Sequence, residues 1–462
     1  MRNHRLSRTV VATVLAAVVS VLPGAGTASA APPEGNISKN VTFVANIPEM
    51  KEAISIAFID ETMFVSTVHG LYAYSVADPS APSLLGALPM YIWENEDMTV
   101  DATRNLVYIS RDPRGFTSPV TPGVFPYGAV HIVDVSIPHA MTIVNTIPVP
   151  AGHTTTCINS CHFIWTGGPV AGVQQPGDWG GRPIFATDVT DPMSPVACPD
   201  PIDVGRNDGV TDYAHDVQVD EAGVAWVSGA GGVRGYWTSG KHRNPLTGKT
   251  EVATGCKPIP YAGGGTPESA TPSRFMHNSW RNVNASIGGK KGAVLYGTEE
   301  NVTSDCRTSG RFTTYDLRGS YNGEGWKNIE KTHFRMKALD TFTPEGQPGS
   351  EGCDSAHYFA DRGDEVLAGA YYSAGTRFLD VGNPKDIRQI GYYVPSDANV
   401  WAAYWHNGLV YIADNARGVD IVKFQGGPSA NSVKAPVSTN VQPLDFSARG
   451  HFMCPLPQRV SP

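Results

Sequence analysis

Short stretches in which apolar and polar residues alternate recur along the chain, each closed by a cluster of Gly, Pro, Asn or Asp. Alternation with a period of two predicts strands with two packed faces, and it argues against a helical bundle. One phrase returns: LYAYSVADPSAPSLLG from Leu71, VHIVDVSIPHAMTIV from Val130, PIFATDVTDPMSPVAC from Pro183 and RFLDVGNPKDIRQIG from Arg377, with a shorter copy, GVDIVKF, from Gly418. In each full copy a strand runs into a turn, of Asp/Asn-Pro type in most, and a second strand follows. Upstream of each phrase lies another strand pair, whose first members are AISIAFID, NEDMTVDA, HTTTCIN, AHDVQVDE, MHNSWRN, AHYFADR and WAAYWHN. That makes seven repeated units of about 54 residues. The last unit lacks a fourth strand, and VTFVANIP, at Val41 to Pro48, is placed to supply it and close a ring without exposed sheet edges.

The repeated phrase resembles the LVIVD repeat, a family of β-propeller blades, over roughly residues 41 to 424. The resemblance implies an all-β fold: a single seven-bladed β-propeller with its N-terminal strand closing the last blade. It implies no particular activity. Composition adds that 49 Gly and 36 Pro in 462 residues suit many short strands, while 41% hydrophobic residues are enough for a large core and exclude global disorder. The length is then one ring rather than several domains. Residues 425–462, rich in Pro and Ser, are expected to lie outside it as a C-terminal extension.

Arg2, Arg5 and Arg8 precede the run VVATVLAAVVSVLPGA, and TASA-APPEG follows. A basic start, an apolar run too short to span a bilayer and a small-x-small site after Ala30 predict a signal peptide over residues 1–30. The protein is expected to be secreted and extracellular, with no membrane span and as a monomer. Without the leader, 32 bases face 43 acids, a charge of −11, which argues against nucleic acid as a partner. Export also predicts disulfides among the seven cysteines. Cys157 and Cys161 flank a turn, CINSC, and can pair across it; zinc held by this CxxxC and His162 is the alternative. Cys198, Cys256, Cys306, Cys353 and Cys454 leave an odd thiol.

Four innermost strands begin at or beside a histidine: His153, His215, His277 and His357, spaced 62, 62 and 80 residues apart, about one blade each. A ring brings all four to one end of its axial channel, where they can hold one divalent metal. For a single histidine, a hydrogen-bonded strand residue would be the ordinary explanation; four in equivalent register point to a site. Third strands begin at Arg182, Arg234, Arg311, Arg377 and Arg417, and Arg274 precedes His277. Arginine's planar fork suits carboxylates, so these six predict a cationic rim; pairing with aspartates such as Asp188, Asp316 or Asp380 is the structural alternative. Tyr213, Tyr236, Trp237, Trp280, Tyr358, Trp401 and Trp405 lie near these segments and suit either sugar stacking or packing between blades.

An arginine rim on an exported protein points to an acidic poly- or oligosaccharide. β-Elimination at a uronic acid needs the carboxylate neutralised, a base for the adjacent proton and an acid for the departing oxygen. His215 and His277 are the candidates for base or metal ligand, Tyr213 or Tyr236 for acid, and Arg234 and Arg274 for the carboxylate. The layout is similar to that of propeller polysaccharide lyases, without a motif match residue by residue. A glycosidase would want paired carboxylates, and only Glu96, Asp97, Asp212 and Asp354 lie near innermost-strand starts. The second function class is a copper or iron oxidoreductase on the four histidines, a layout similar to propeller iron oxygenases and to a copper-dependent thiol oxidase related to selenium-binding proteins. The third is a non-catalytic binding propeller.

Overall fold

A computed structural model describes residues 32–112, 128–168, 183–202, 206–207, 210–211, 214–229, 232–264, 275–300, 310–318, 336–344, 354–428 and 433. The expected leader over residues 1–30 lies outside them, as does nearly all of the extension beyond Pro428.

Seven antiparallel sheets of four or five strands follow one another along the described chain, each running from an innermost strand outward. The innermost strands of blades one to seven are Ala53–Ile59, Thr99–Asp101, Thr154–Ile158, Ala214–Val219, Phe275–Asn282, Phe359–Asp361 and Val400–His406. Five fall within a segment expected from the alternation, and those of blades five and seven begin one residue ahead of theirs, at Phe275 and Val400. Val41–Ile47 pairs with Gly418–Phe424 as the outer strand of blade seven, so an N-terminal strand closes the ring with the last strand described. A further strand that the repeat does not announce, Gly35–Ile37, pairs with Arg388–Pro395 on the outer edge of blade six. The C-terminal segment touches the same blade: Val433 N donates to Gln389 O at 2.8 Å, and Gln389 Nε2 donates to Val433 O at 2.7 Å.

The core is divided rather than central. One buried apolar cluster lies between each pair of neighbouring blades, from Phe64, Leu71 and Ile109 between blades one and two to Tyr74, Ala402 and Ile421 between blades seven and one. Alternation makes this possible, because each sheet buries both faces and leaves its inner edge for the channel. Two disulfides fasten the outside. Cys157–Cys161 spans the turn of blade three, so this pair of thiols does not hold zinc, and Cys198–Cys256 joins blade three to blade four. Such bonds fit an oxidising compartment. Cys306, Cys353 and Cys454 lie outside the described residues. No helix among the described residues is long and apolar enough to cross a membrane.

Candidate metal centre

The channel-facing side chain of each blade comes from the start of its innermost strand, and a backbone irregularity aims it. The ladders of blades one, four, five and seven skip a residue at Ile54, His215, His277 and Trp401 respectively. A bulge leaves one residue unpaired and turns its side chain out of the alternating register; here the turned residue is the axial one. His153 and His357 take this place in blades three and six just ahead of the regular strand, and Glu96 takes it in blade two. Two aromatic residues hold left-handed backbone beside this ring: Trp93, three residues before Glu96, at φ 57°, and Tyr372 at φ 40°. Each costs about 1–2 kcal/mol for an L residue, a strain that tends to gather at functional sites.

All four histidines meet. Nε2 of His153 lies 3.1 Å from Glu96 Oε2, that of His215 3.4 Å and that of His277 3.1 Å, while Nε2 of His357 lies 3.3 Å from Glu96 Oε1. Nε2 of His153 and Nε2 of His215 are 3.0 Å apart. The five side chains are buried to 1% exposure or less. Metal–nitrogen bonds of about 2.0–2.1 Å put neighbouring ligand atoms about 2.9–3.4 Å apart in octahedral or tetrahedral shells, so the donors already stand at ligand spacing.

The outward ring nitrogens fix the tautomers. His215 Nδ1 donates to the backbone oxygen of His277 at 3.1 Å, and His357 Nδ1 donates to that of Trp401 at 2.7 Å. Each is the axial residue of the next blade. His153 Nδ1 lies 2.9 Å from Asp112 Oδ2. A histidine that gives its Nδ1 proton away turns a lone pair inward on Nε2, the arrangement of metal-binding histidines with carboxylate or carbonyl support. Two such lone pairs 3.0 Å apart repel unless a cation or a proton lies between them.

Charge follows from burial. Desolvation would raise Glu96, but His153, His357 and His277 outweigh it and hold this carboxyl well below the usual range. Burial, then the charge of His357, pushes His277 down to about 3. Burial opposes protonation of His357 too, yet Glu96 and Glu300 win and raise it. Burial pushes Glu300 up to about 7. Three sets of side chains hold ligand atoms within 4.8 Å of one another: Glu96 with His215 and His277; His277 with Glu300 and His357; and Glu94 with Asp112 and His153. Any of these groups could hold a metal ion.

The remaining expected residues are dispersed. Tyr236 packs edge-on against Trp165 in the cluster between blades three and four, away from the histidines. Arg234 is buried and donates to Val233 O at 3.0 Å. Arg311 pairs with Glu299 at 3.3 Å. Arg377 is buried and donates to Ala374 O and Gln389 Oε1. Arg417 forks onto Asp420 and reaches Asp397 at 2.7 Å. Two of the three aspartates expected as partners are engaged by other arginines, Asp316 by Arg318 and Asp380 by Arg388, while Asp188 accepts from Thr190 N. Tyr213, Arg182 and Arg274 lie outside the described residues. Two phenols reach the cluster: that of Tyr358, 3.5 Å from Glu96 Oε2 and 3.4 Å from Asp216 Oδ1, and that of Tyr372, which donates to Glu300 Oε1. Beside His357, Ile54, Val68 and the rings of Tyr372 and Trp401 form an apolar wall. Donors thus come from blades two to six, and blades seven and one are apolar.

Comparison with known proteins agrees on the fold. No protein-family model matches the chain, and no curated protein matches it. Among solved structures, the periplasmic gluconolactonase PpgL of Pseudomonas aeruginosa is similar at 12% identity, with a TM-score of 0.53 over 82% of this chain and 95% of that one. The WD40 propeller domain of Doa1 (8% identity, TM-score 0.49, 84% of this chain and 98% of that one) and the WD40 repeats of RRP9 (10%, 0.48, 85% and 100%) are also similar. At 12% identity the likeness to the gluconolactonase shows the fold alone: an all-β, seven-bladed propeller.

Proposed function

We propose that the chain is a metal-dependent oxidoreductase whose ion is held by His153, His215, His277, His357 and Glu96. One observation carries this: four imidazole nitrogens from four successive blades surround one carboxylate at ligand spacing, with three of the rings held from behind by fixed acceptors. Four neutral imidazoles to one carboxylate suit copper or iron better than magnesium or calcium. Such an ion, when bound, supplies one-electron chemistry. The chain's own groups do the rest. Glu96 offsets the ion's charge, Tyr358 stands where it can pass a proton to Glu96 or Asp216, and the Ile54–Trp401 wall excludes water on one side.

Uronate lyase chemistry is the second reading, favoured by Tyr358 as an acid beside a metal that could neutralise a substrate carboxylate. In it the ion, rather than the arginines, does the neutralising, because Arg234, Arg311, Arg377 and Arg417 are turned to internal partners. The LVIVD resemblance rests on the repeated phrase and selects neither activity.

The test is elemental analysis of the purified full chain, followed by oxygen-uptake assays with thiols, phenols and aldoses, ultraviolet detection of unsaturated products from uronate glycans, and hydrolysis of gluconolactone. Bound copper or iron with oxygen consumption that vanishes in His215→Ala and His277→Ala supports the oxidoreductase. Unsaturated product without oxygen consumption assigns the lyase instead. A chain that binds no transition metal overturns the first reading.

A further inference from the structure

Glu96 does not present all its neighbours to one oxygen. His153, His215 and His277 face Oε2, whereas His357 faces Oε1. His357 gives its Nδ1 proton to Trp401 O, so its Nε2 lone pair looks straight at a carboxylate oxygen 3.3 Å away. A lone pair against an anion requires a cation or a proton between them.

Glu300 adds a second, independent sign. It ends the second strand of blade five, Val294–Glu300, and is fully buried. Its Oε1 accepts a hydrogen bond from Tyr372, and among the described residues its Oε2 has no hydrogen-bond donor. That oxygen points into the cluster, 3.9 Å from His277 Nε2, and ligand atoms of Glu300, His277 and His357 lie within 4.8 Å of one another. A buried carboxylate oxygen without a donor is costly, and an ion shared with His357 satisfies it.

We propose that the centre holds two transition-metal ions bridged by Glu96: one on His153, His215, His277 and Glu96 Oε2, the other on His357, Glu300 and Glu96 Oε1. This rests on the metal-dependent reading above and extends it. A carboxylate bridging through both oxygens sets two ions about 3.5–4 Å apart, the separation used by two-metal sites. The competing arrangement is one ion with a proton on His357 Nε2.

The full chain, stripped with a chelator and refilled separately with Cu(II) and Mn(II), is passed through a desalting column and its metal counted per chain. Two ions are expected in the native sequence, with an electron paramagnetic resonance signal broadened or lost by coupling. Glu300→Gln, which keeps size and the contact to Tyr372, is expected to hold one ion with an uncoupled signal. Circular dichroism establishes that the variant is folded, and Glu300→Asp serves if it is not. One uncoupled ion in the native chain, unchanged in Glu300→Gln, overturns the second site and leaves the first reading standing. No bound ion in either chain overturns both.

Discussion

Gly168 follows the second strand of blade three with φ 66°, and a Cβ there would fall 2.1 Å from that of His153. Gly223 has a similar φ of 78°, but nothing lies within 4 Å of where its Cβ would be. The pair separates strain from displacement. Alanine at either position costs about 1–2 kcal/mol of backbone strain, and Gly168→Ala adds an overlap with His153 of about 1–3 kcal/mol, so it should lose more thermal stability than Gly223→Ala. Only Gly168→Ala pushes on a ligand. Its metal affinity, measured by competition with a chromogenic chelator, is expected to fall at least tenfold while Gly223→Ala binds as the native chain does. Asp112→Asn should act in the same direction by weakening the Nδ1 support of His153, with a loss on the order of 10–100-fold. Equal affinities in all four proteins would mean that His153 is not a ligand.

Among the elements, the turn after Thr99–Asp101 ties blade two to blade three. Arg104 pairs with Asp101 and donates to the backbone oxygens of Cys161 at 2.6 Å and Val189 at 2.8 Å. Arg104→Ala is expected to cost about 1–3 kcal/mol, roughly 1–4 °C in a chain this long, and Arg104→Lys should recover little because it lacks the fork. Burial would raise the Asp101 carboxyl, but hydrogen bonds from Thr103 and Arg104 lower it overall. A lowered folded value means the pair stabilises fully above the unfolded value near pH ~4 and is lost as pH falls through the folded one. The melting difference between Asp101→Asn and the native chain should therefore be largest at neutral pH and shrink below pH ~4; a difference independent of pH would assign it to packing. Innermost strands and the four histidines were legible because a period of two and a blade-length spacing are local signals. Asp112 and Glu300 were not, since they follow or end second strands and only the curvature of the ring brings them to the axis. The start of a third strand is one place in sequence but not one orientation in space: Arg417 turns back to Asp420 and Arg377 into the blade. A carboxylate at the end of a second strand, beside the histidine starting the first, was the available signal.

On the scale of the whole ring, two fastenings lie on opposite sides. Val41–Ile47 completes blade seven beside Gly418–Phe424, with Ala45 fully buried against blade one. The donors belong to blades two to six, and blades seven and one contribute Trp401 and Ile54 instead. A bound ion therefore fastens the arc that the closing strand does not. An ion that binds the folded chain a hundredfold above its dissociation constant adds about 2.7 kcal/mol, roughly 3 °C for a chain of this length. Ala45→Asp buries a charge in the closing seam and should lower the melting temperature of the metal-free protein by much more than that. Because the seam and the donors share no residues, the two effects should add. Copper is then expected to raise melting by the same few degrees in the native chain and in Ala45→Asp, and by less in the His215→Ala, His277→Ala double variant, which keeps intact only the ligand set of the second ion. A copper shift that disappears in Ala45→Asp would show instead that the donors converge only when the ring is closed, and that the closing strand assembles the centre as well as the fold.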